Sequence, residues 1–138
     1  MSQLPRCISQ EMLFSEAKAA GSGAPPSRAD LPVAMTWDLT PLYADEAAWD
    51  ADFAALDERL AALQMWRGRL GEGPDALRQA WVAGDDLGRL LSKLYTYAHL
   101  RADEDTAAAE PQARQAKVFA KGAEIAGATA WFDPEVLS

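Results

Sequence analysis

The sequence is poor in the residues that build metal sites and disulfides. Its 138 residues include one cysteine, Cys7, and one histidine, His99. A single cysteine excludes a disulfide within the chain. Structural zinc takes four Cys or His ligands, and catalytic zinc usually binds at least two histidines. No H-E-x-x-H pattern is present, so we expect no metal-binding residue and no cofactor in this chain.

Basic residues are also scarce, since 13 Lys and Arg stand against 21 Asp and Glu, for a formal net charge of -8. Nucleic-acid phosphates and anionic membrane surfaces bind clustered basic residues, so we expect neither partner. No apolar run approaches the roughly 20 residues of a membrane-spanning helix. No apolar segment typical of a secretory signal precedes Ser9. The composition therefore favours a cytoplasmic protein.

The chain divides by composition into a leader, residues 1–34, and a body, residues 35–138, long enough for one compact domain. Residues 21–32 are rich in Gly, Ser and Pro and have no periodicity, which is typical of a linker. Residues 8–20 have the pattern of one short helix, capped by Ser9. Isolated helices of this length are marginal in water, so we expect a poorly ordered leader.

The body is rich in Ala and Leu and poor in Val and Ile, which favours helix over strand. The first predicted helix begins at the N-cap Asp45 and ends at Gly71 and Gly73. Its apolar residues are spaced three and four apart, as in one stripe of an antiparallel hairpin or a coiled coil. The stripe contains Trp49, Phe53, Leu56, Leu60, Leu63, Trp66 and Leu70.

The second predicted helix begins at Pro74, a residue favoured at the first helical position, with Trp81 in its core face. Gly84 and the two aspartates after it indicate a stop and a new cap, with a kinked continuation as the alternative. A third helix then covers residues 87–101. Together with a fourth at residues 111–130, these elements predict an all-α body of about four helices, arranged as antiparallel hairpins or a bundle.

The fourth helix and the end of the chain carry two further predictions. The expected core face of residues 111–130 consists of small residues and one ring: Ala116, Phe119, Ala123, Ala126 and Ala130. Beyond it, Asp133 and Pro134 have the pattern of an N-cap and first helical residue, yet the sequence stops at Ser138. Either the sequence is an incomplete piece of a longer protein, or these residues form a single closing turn.

Several residues resemble chemical motifs but are better explained by structure. His99 lies beside an apolar stripe, and a partly exposed or hydrogen-bonded helical histidine is favoured over a general base. Residues 103–105 are acidic but lack the glycine and glutamate of a calcium loop. Residues 71–76 match G-x-G-x-x-A by letters only, after a helix and with two acidic residues, which favours a helix-helix loop. No catalytic or cofactor-binding residue is predicted.

Aromatic residues are numerous for so short a chain. The five tryptophans are Trp37, Trp49, Trp66, Trp81 and Trp131. They suit a peptide-binding groove, but Trp49, Trp66 and Trp81 occupy core positions of predicted helices, so core packing is favoured. Tyr95 and Tyr97 fall on different sides of one helix, and one of them is expected to face outward or toward a partner.

Two stretches carry a family resemblance. Residues 35–43 read M-T-W-D-L-T-P-L-Y and are followed by D-E-A-A-W, while residues 94–106 read L-Y-T-Y-A-H-L-R-A-D-E-D-T. These resemble the W-D-L-[ST]-x-L-[YF] and L-Y-x-Y-A-x-L-x-x-D-x-D-T segments of the oligoendopeptidase F family of zinc metallopeptidases. Residues 131–137 are compatible with the helix start that follows, so the resemblance covers residues 35–138.

The resemblance implies a helical, bowl-shaped peptidase whose N-terminal lobe covers a deep channel and restricts substrates to short, unfolded peptides. It implies zinc on an H-E-x-x-H helix and a downstream Glu in a later domain, and none of those positions exists here.

The two stretches are expected to be architectural. Thr40 would cap a turn that Trp37, Leu39 and Leu42 pin to the body.

We therefore expect a non-catalytic N-terminal lobe, inactive as a peptidase on its own. Its expected partners are the catalytic domain of a metallopeptidase, or a second copy bound through an exposed apolar face, with oligopeptides as further ligands. The alternative is a free-standing helical interaction module that binds peptides or a partner protein. A third reading is a plain structural protein whose motifs match by accident.

Overall fold

The structure, a computed structural model, describes residues 30–138. The chain divides into one unit, Met1–Leu31, and a second, Pro32–Ser138. The predicted helix at residues 8–20 and Cys7 lie outside the described residues, as do residues 21–29 of the linker. Within residues 30–138 the structure contains helices and turns but no strand, which confirms the all-α class.

Three long helices and one short helix make up the second unit. They are α1 (Glu46–Gln64), α2 (Pro74–Glu104), α3 (Ala109–Thr129) and α4 (Phe132–Val136), with 3₁₀ turns at Val33–Met35 and Leu70–Glu72. The long helices run antiparallel in sequence order, and α2 packs against both α1 and α3. The predicted set of four helices is not confirmed, because the second and third are one continuous helix.

The first helix follows the predicted pattern at its start. The Asp45 side chain accepts a hydrogen bond from the Ala48 backbone N–H at 2.8 Å, as an N-cap does. The predicted stripe faces the core, where Trp49, Leu56 and Leu63 are buried. Burial of this stripe, at three- and four-residue spacing, is the main source of the stability of α1.

The predicted end of the first helix is wrong. Helix α1 stops at Gln64, and Leu70 is buried from a separate 3₁₀ turn. Gly68 has a φ of 78°, which glycine adopts without steric cost. The Glu135 carboxylate accepts from the backbone N–H groups of Gly68 at 2.8 Å and of Leu70 at 2.9 Å. Glu135, which is distant in the sequence, thus accepts hydrogen bonds from backbone N–H groups of the turn that follows α1.

The predicted stop at Gly84 is also wrong, because α2 continues through it. A glycine inside a helix costs only about 1 kcal/mol relative to alanine. At Gly84 the two methyl groups of Leu63 lie 3.9 and 4.0 Å from the place where a Cβ would stand, which is ordinary van der Waals distance between α1 and α2. Asp85 also pairs with Arg89 one turn later, at 3.1 Å.

The predicted core face of α3 is wrong. Phe119 is 67% exposed, and the alanines at 116, 123, 126 and 130 are exposed as well. The inward stripe instead combines Arg114, Val118 and Ile125, which are buried, with Lys121, whose side chain is 14% exposed. Reading apolar residues alone misses this stripe, because two of its four members are basic and bury long aliphatic stems.

The tryptophans divide differently from the prediction. Trp49 is fully buried, as expected, and Trp66 is partly buried. Trp81 is 55% exposed, so its predicted core position is wrong, and Trp37 is 53% exposed. Part of this side of α2 is therefore open, although the Phe132 ring of α4 packs against the Trp81 ring.

The last described residues form one short helix. It begins at Phe132, with Trp131 in the cap position and no side-chain cap bond. Asp133 and Pro134 therefore lie inside α4, and the predicted cap at Asp133 is wrong. Helix α4 is held to the loop after α1 by the two Glu135 hydrogen bonds.

Candidate functional site

The two stretches that carry the family resemblance meet in the core. The rings of Tyr43 and Tyr97 pack edge to face, with centroids 5.2 Å apart and planes at 76°. The Trp49 indole Nε1 donates to the Leu94 carbonyl oxygen at 3.0 Å. Tyr97 is buried and Tyr95 is 40% exposed, which confirms that one of the pair faces outward. These contacts give both stretches an architectural role.

A polar network surrounds the Tyr43 hydroxyl. The hydroxyl donates to the Asp52 carboxylate at 2.9 Å, and Lys93 Nζ lies 3.4 Å from the same carboxylate and 3.9 Å from the Tyr43 ring centroid. Burial, and then the hydrogen bond to Asp52, raise the pKa of Tyr43 well above its ordinary range. The phenol therefore stays protonated at neutral pH and acts as a hydrogen-bond donor.

The segment before α1 forms the expected turn with a different capping residue. The Asp38 carboxylate accepts from the Thr40 backbone N–H at 3.0 Å and from its hydroxyl at 2.6 Å. Asp38 thus does what was predicted of Thr40. Leu39 and Leu42 pack partly buried against the core. Trp37 is exposed, so its predicted pinning role is wrong.

Arg114 is the charged residue buried between α1 and α3. Its guanidinium lies 3.1 Å from the Glu46 carboxylate and 2.7 Å from that of Glu110, and its carbon is 5.2 Å from the centroid of the Trp49 ring. The hydrogen bond from Arg114 lowers the pKa of Glu46. The arrangement orients α3 on α1 with a charge-assisted contact in which the guanidinium is buried and the two carboxylates face solvent.

His99 lies on the surface of α2. Its ring hydrogen-bonds Gln115, stacks on Tyr95 at 5.7 Å, and lies 3.5 Å from the Asp103 carboxylate. The side chain is 47% exposed. With an amide, an aromatic ring and a carboxylate as its neighbours, the half-exposed ring is that of a hydrogen-bonded surface histidine.

The other motif-like segments are helix boundaries. Asp105 accepts from the Ala107 backbone N–H at 3.0 Å just after α2 ends. Gly73, with a φ of 145°, connects a 3₁₀ turn to the first residue of α2. Within residues 30–138 no three His, Cys, Asp or Glu side chains are grouped so that they could hold a metal ion. The resemblance places the zinc site in a later domain of the family, and the described residues do not fit such a site.

The surface feature that the structure adds is an apolar groove between α2 and α3. A concavity of about 560 Å³ is lined by Leu91, Ser92, Tyr95, Thr96, Val118, Phe119, Gly122, Ala123 and Ala126. We call it the α2–α3 groove. Its lining contains no charged residue and includes the exposed rings of Phe119 and Tyr95.

A second concavity adjoins the groove where α4 begins. It measures about 370 Å³, shares Leu91 with the groove, and is lined also by Leu63, Trp81, Gly84, Asp85, Leu87, Gly88, Ile125, Thr129, Ala130, Phe132 and Asp133. We call it the α4 cavity. The Trp81 and Phe132 rings pack edge to face, 5.8 Å apart. Sequence reasoning missed both features because it assigned Trp81 and Phe119 to the core.

Comparison with known proteins shows which protein family this chain resembles in sequence. Residues 30–138 form an all-helical unit whose motif residues are buried. The chain is 34% identical over 113 residues to oligopeptidase PepF from Bacillus subtilis (strain 168), which covers 82% of this chain and 17% of that protein. It is 31% identical over 101 residues to group B oligopeptidase PepB from Streptococcus agalactiae, 73% of this chain and 17% of that one.

A third relative agrees with these two. The plasmid-encoded oligoendopeptidase F of Lactococcus lactis subsp. cremoris is 28% identical over 112 residues, 80% of this chain and 19% of that protein. The chain is therefore homologous to the N-terminal region of the oligoendopeptidase F family. It spans 17–19% of the length of these curated relatives. No protein-family model and no solved structure matches it.

A search of the described helices for a membrane-spanning segment is negative. Among residues 30–138, no helix combines the length and the apolar character that crossing a bilayer requires.

Proposed function

We propose that this chain forms a non-catalytic helical lobe of an oligoendopeptidase-F-type peptidase, where it covers the channel through which oligopeptides reach the zinc centre. The observation that supports this most is the similarity to oligopeptidase PepF over 82% of the chain. The whole sequence contains one histidine, so it cannot supply the two imidazoles of an H-E-x-x-H site. Cleavage would belong to residues outside the matched region.

The contacts of the motif residues support the same assignment. Tyr43, Trp49, Leu94 and Tyr97 are engaged with one another in the core and are not available to substrate. The apolar surface left over, along α2 and α3, supports packing against further protein. We propose the remainder of the peptidase as the main partner. The cytoplasmic location stays a prediction.

The first experiment measures activity of the chain alone. The purified 138-residue protein is mixed with zinc and a quenched fluorescent oligopeptide, with a Gly73→Pro variant prepared in parallel to detect a contaminating peptidase. We expect no turnover above the blank for either protein. Turnover that tracks the wild-type protein and disappears with a chelator would contradict the proposal.

The second experiment places the chain in a complete peptidase. A chimera is built in which these 138 residues replace the matching segment of the Bacillus subtilis oligopeptidase PepF. We expect oligopeptide hydrolysis well above that of the same peptidase carrying an unrelated helical bundle at that position. Equal activity of the two chimeras, together with oligopeptide binding by the isolated chain, would favour the free-standing interaction module.

A further inference from the structure

The exposed side of α2 has the spacing of a helix-binding seam. Trp81, Gly88 and Tyr95 are seven residues apart, so they lie on one face at successive double turns, and both rings are exposed, at 55% and 40%. Nothing lies within 4 Å of the place where a Gly88 Cβ would stand. The seam therefore has two rings with an open gap between them, into which the side chain of another helix fits.

Helix α3 supplies the other wall of the same surface. Phe119 and Ala126 are also seven residues apart and exposed, and Gly122 lies between them against Leu91, whose methyl is 3.8 Å from the Gly122 Cβ position. Small residues let a packed helix approach at the short end of the 8–10 Å interaxial range. Two parallel seams with a trough between them fit one helix laid along the groove.

The charges at one end indicate what the occupant carries. Asp85 and Asp133 line the α4 cavity, and Asp85 is paired with Arg89 at 3.1 Å. Among the described residues no basic side chain pairs with Asp133. A basic side chain on the occupant would complement it. A second copy would bring the same carboxylates and another net charge of -8 to the interface, so charge disfavours self-association.

We propose that the α2–α3 groove and the α4 cavity together bind one amphipathic helix from the remaining part of an oligoendopeptidase-F-type peptidase. Its apolar face packs against the two seams, a large side chain fills the gap at Gly88, and a Lys or Arg faces Asp133. This inference rests on the proposed function. The matched region is 17–19% of the relatives' length, so most of each relative lies outside it and is available to supply such a helix.

Gly88→Leu tests the groove because its effects in two settings have opposite signs. In the isolated chain we expect an unchanged or higher melting temperature, since the space is open and leucine is the better helix former. In the chimeric peptidase the same leucine fills the gap at position 88 that the side chain of the bound helix would occupy. We expect a melting temperature at least about 2 °C below that of the matched control, with faster proteolysis at the junction.

Gly127→Leu is the matched control. It also replaces a glycine of a long helix that has nothing within 4 Å of its Cβ position, but it lines neither concavity. We expect it to be tolerated in both settings. Asp133→Lys gives an independent reading, because we expect it to lower the melting temperature of the chimera at low salt and less so at high salt.

The outcomes separate the two proposals. An active, cooperatively melting chimera in which Gly88→Leu is no worse than Gly127→Leu would overturn the groove and leave the proposed function standing. A wild-type chimera without activity would count against the proposed function itself. Concentration-dependent sedimentation of the isolated chain that Gly88→Leu abolishes would overturn the choice of occupant in favour of a second copy.

Discussion

The indole nitrogen of Trp49 donates a hydrogen bond to the carbonyl oxygen of Leu94, 3.0 Å away, across the contact between α1 and α2. Both residues are fully buried. Trp49 ends the first of the two stretches that resemble the peptidase family, and Leu94 begins the second. A directional bond between a large buried ring and a backbone acceptor thus links the two stretches across α1 and α2.

Trp49→Phe is expected to lower the free energy of unfolding by about 2–3 kcal/mol, through the lost hydrogen bond and the space left by the smaller ring. Urea denaturation followed by circular dichroism measures the change. Trp37→Phe is the control, because Trp37 is 53% exposed and its replacement should change stability by less than about 0.5 kcal/mol. Equal effects at the two positions would rule out the structural role of the Trp49 bond.

Tyr43→Phe is expected to lower the free energy of unfolding by about 1 kcal/mol, because the Asp52 carboxylate loses its hydroxyl donor and keeps only Lys93. Burial raises the pKa of Tyr43. Its contribution is therefore complete below the unfolded tyrosine pKa of about 10 and is lost as the pH rises above it. Unfolding measured from neutral pH to alkali should show a smaller alkaline loss for the variant.

A matched pair of controls isolates the Tyr43 hydroxyl. Tyr95→Phe removes a hydroxyl from an exposed ring and should have little effect. A double-mutant cycle with Asp52→Asn should give a coupling energy of at least about 0.5 kcal/mol. Strict additivity of Tyr43→Phe and Asp52→Asn would show that the two groups act independently.

Gly88→Ala and Gly73→Ala are expected to change stability in opposite directions. Gly88 is helical and has open space around it, so alanine should stabilise the protein by about 1 kcal/mol. Gly73 has a φ of 145°, which residues with a Cβ rarely adopt, so alanine there should destabilise by about 1 kcal/mol or more. Thermal unfolding of both variants checks the signs, and a stabilised Gly73→Ala would contradict the backbone geometry.

Glu135→Gln is expected to remove part of the acid sensitivity of α4. Hydrogen bonds from the Leu70 and Gly68 backbone N–H groups lower the pKa of Glu135. The folded pKa lies below the unfolded value of about 4.3, so the stabilisation is present above that value and is lost as the pH falls through the folded pKa. Amide exchange at Gly68 and Leu70, from neutral pH to acid, measures the attachment.

The amide-exchange measurement on the wild type and Glu135→Gln has two possible outcomes. In the wild type, protection of the two amides should fall in acid by more than in the variant, which has no carboxylate to protonate at this position. If protection in both proteins follows the same pH course, the Glu135 carboxylate does not hold α4 to the loop.

Much of the helical layout could be read from the chain. The cap at Asp45, the proline at the start of α2 and the three-four spacing from Trp49 to Leu63 are local signals, and each lies where it was predicted. Helix α3 also follows its predicted range closely. Local signals succeed at these places because capping and periodicity involve residues at most a few turns apart.

The failures share a different cause. Helix α1 ends at Gln64, and the turn that follows passes through Gly68 at a positive φ. Glu135, 65 residues beyond Leu70 along the chain, accepts backbone donors of that turn. The inward face of α3 carries Arg114 and Lys121, whose charges are satisfied by Glu46 and Asp57 of α1. The sequence of α3 does not show that these α1 carboxylates lie next to it. The apolar pattern by itself therefore indicated that the opposite face of α3 is buried.

By itself the sequence determined an all-α class, the main helix starts, the lack of a zinc-binding pattern and the family resemblance, because these depend on composition, short-range spacing and residue identity. Only the tertiary structure decided which faces are buried and that Trp81, Tyr95 and Phe119 line an open surface. The physical reason is that burial is a property of helix pairs. A stripe of apolar residues indicates that one face of a helix can pack against another element. Only the tertiary packing shows whether this chain itself provides that element.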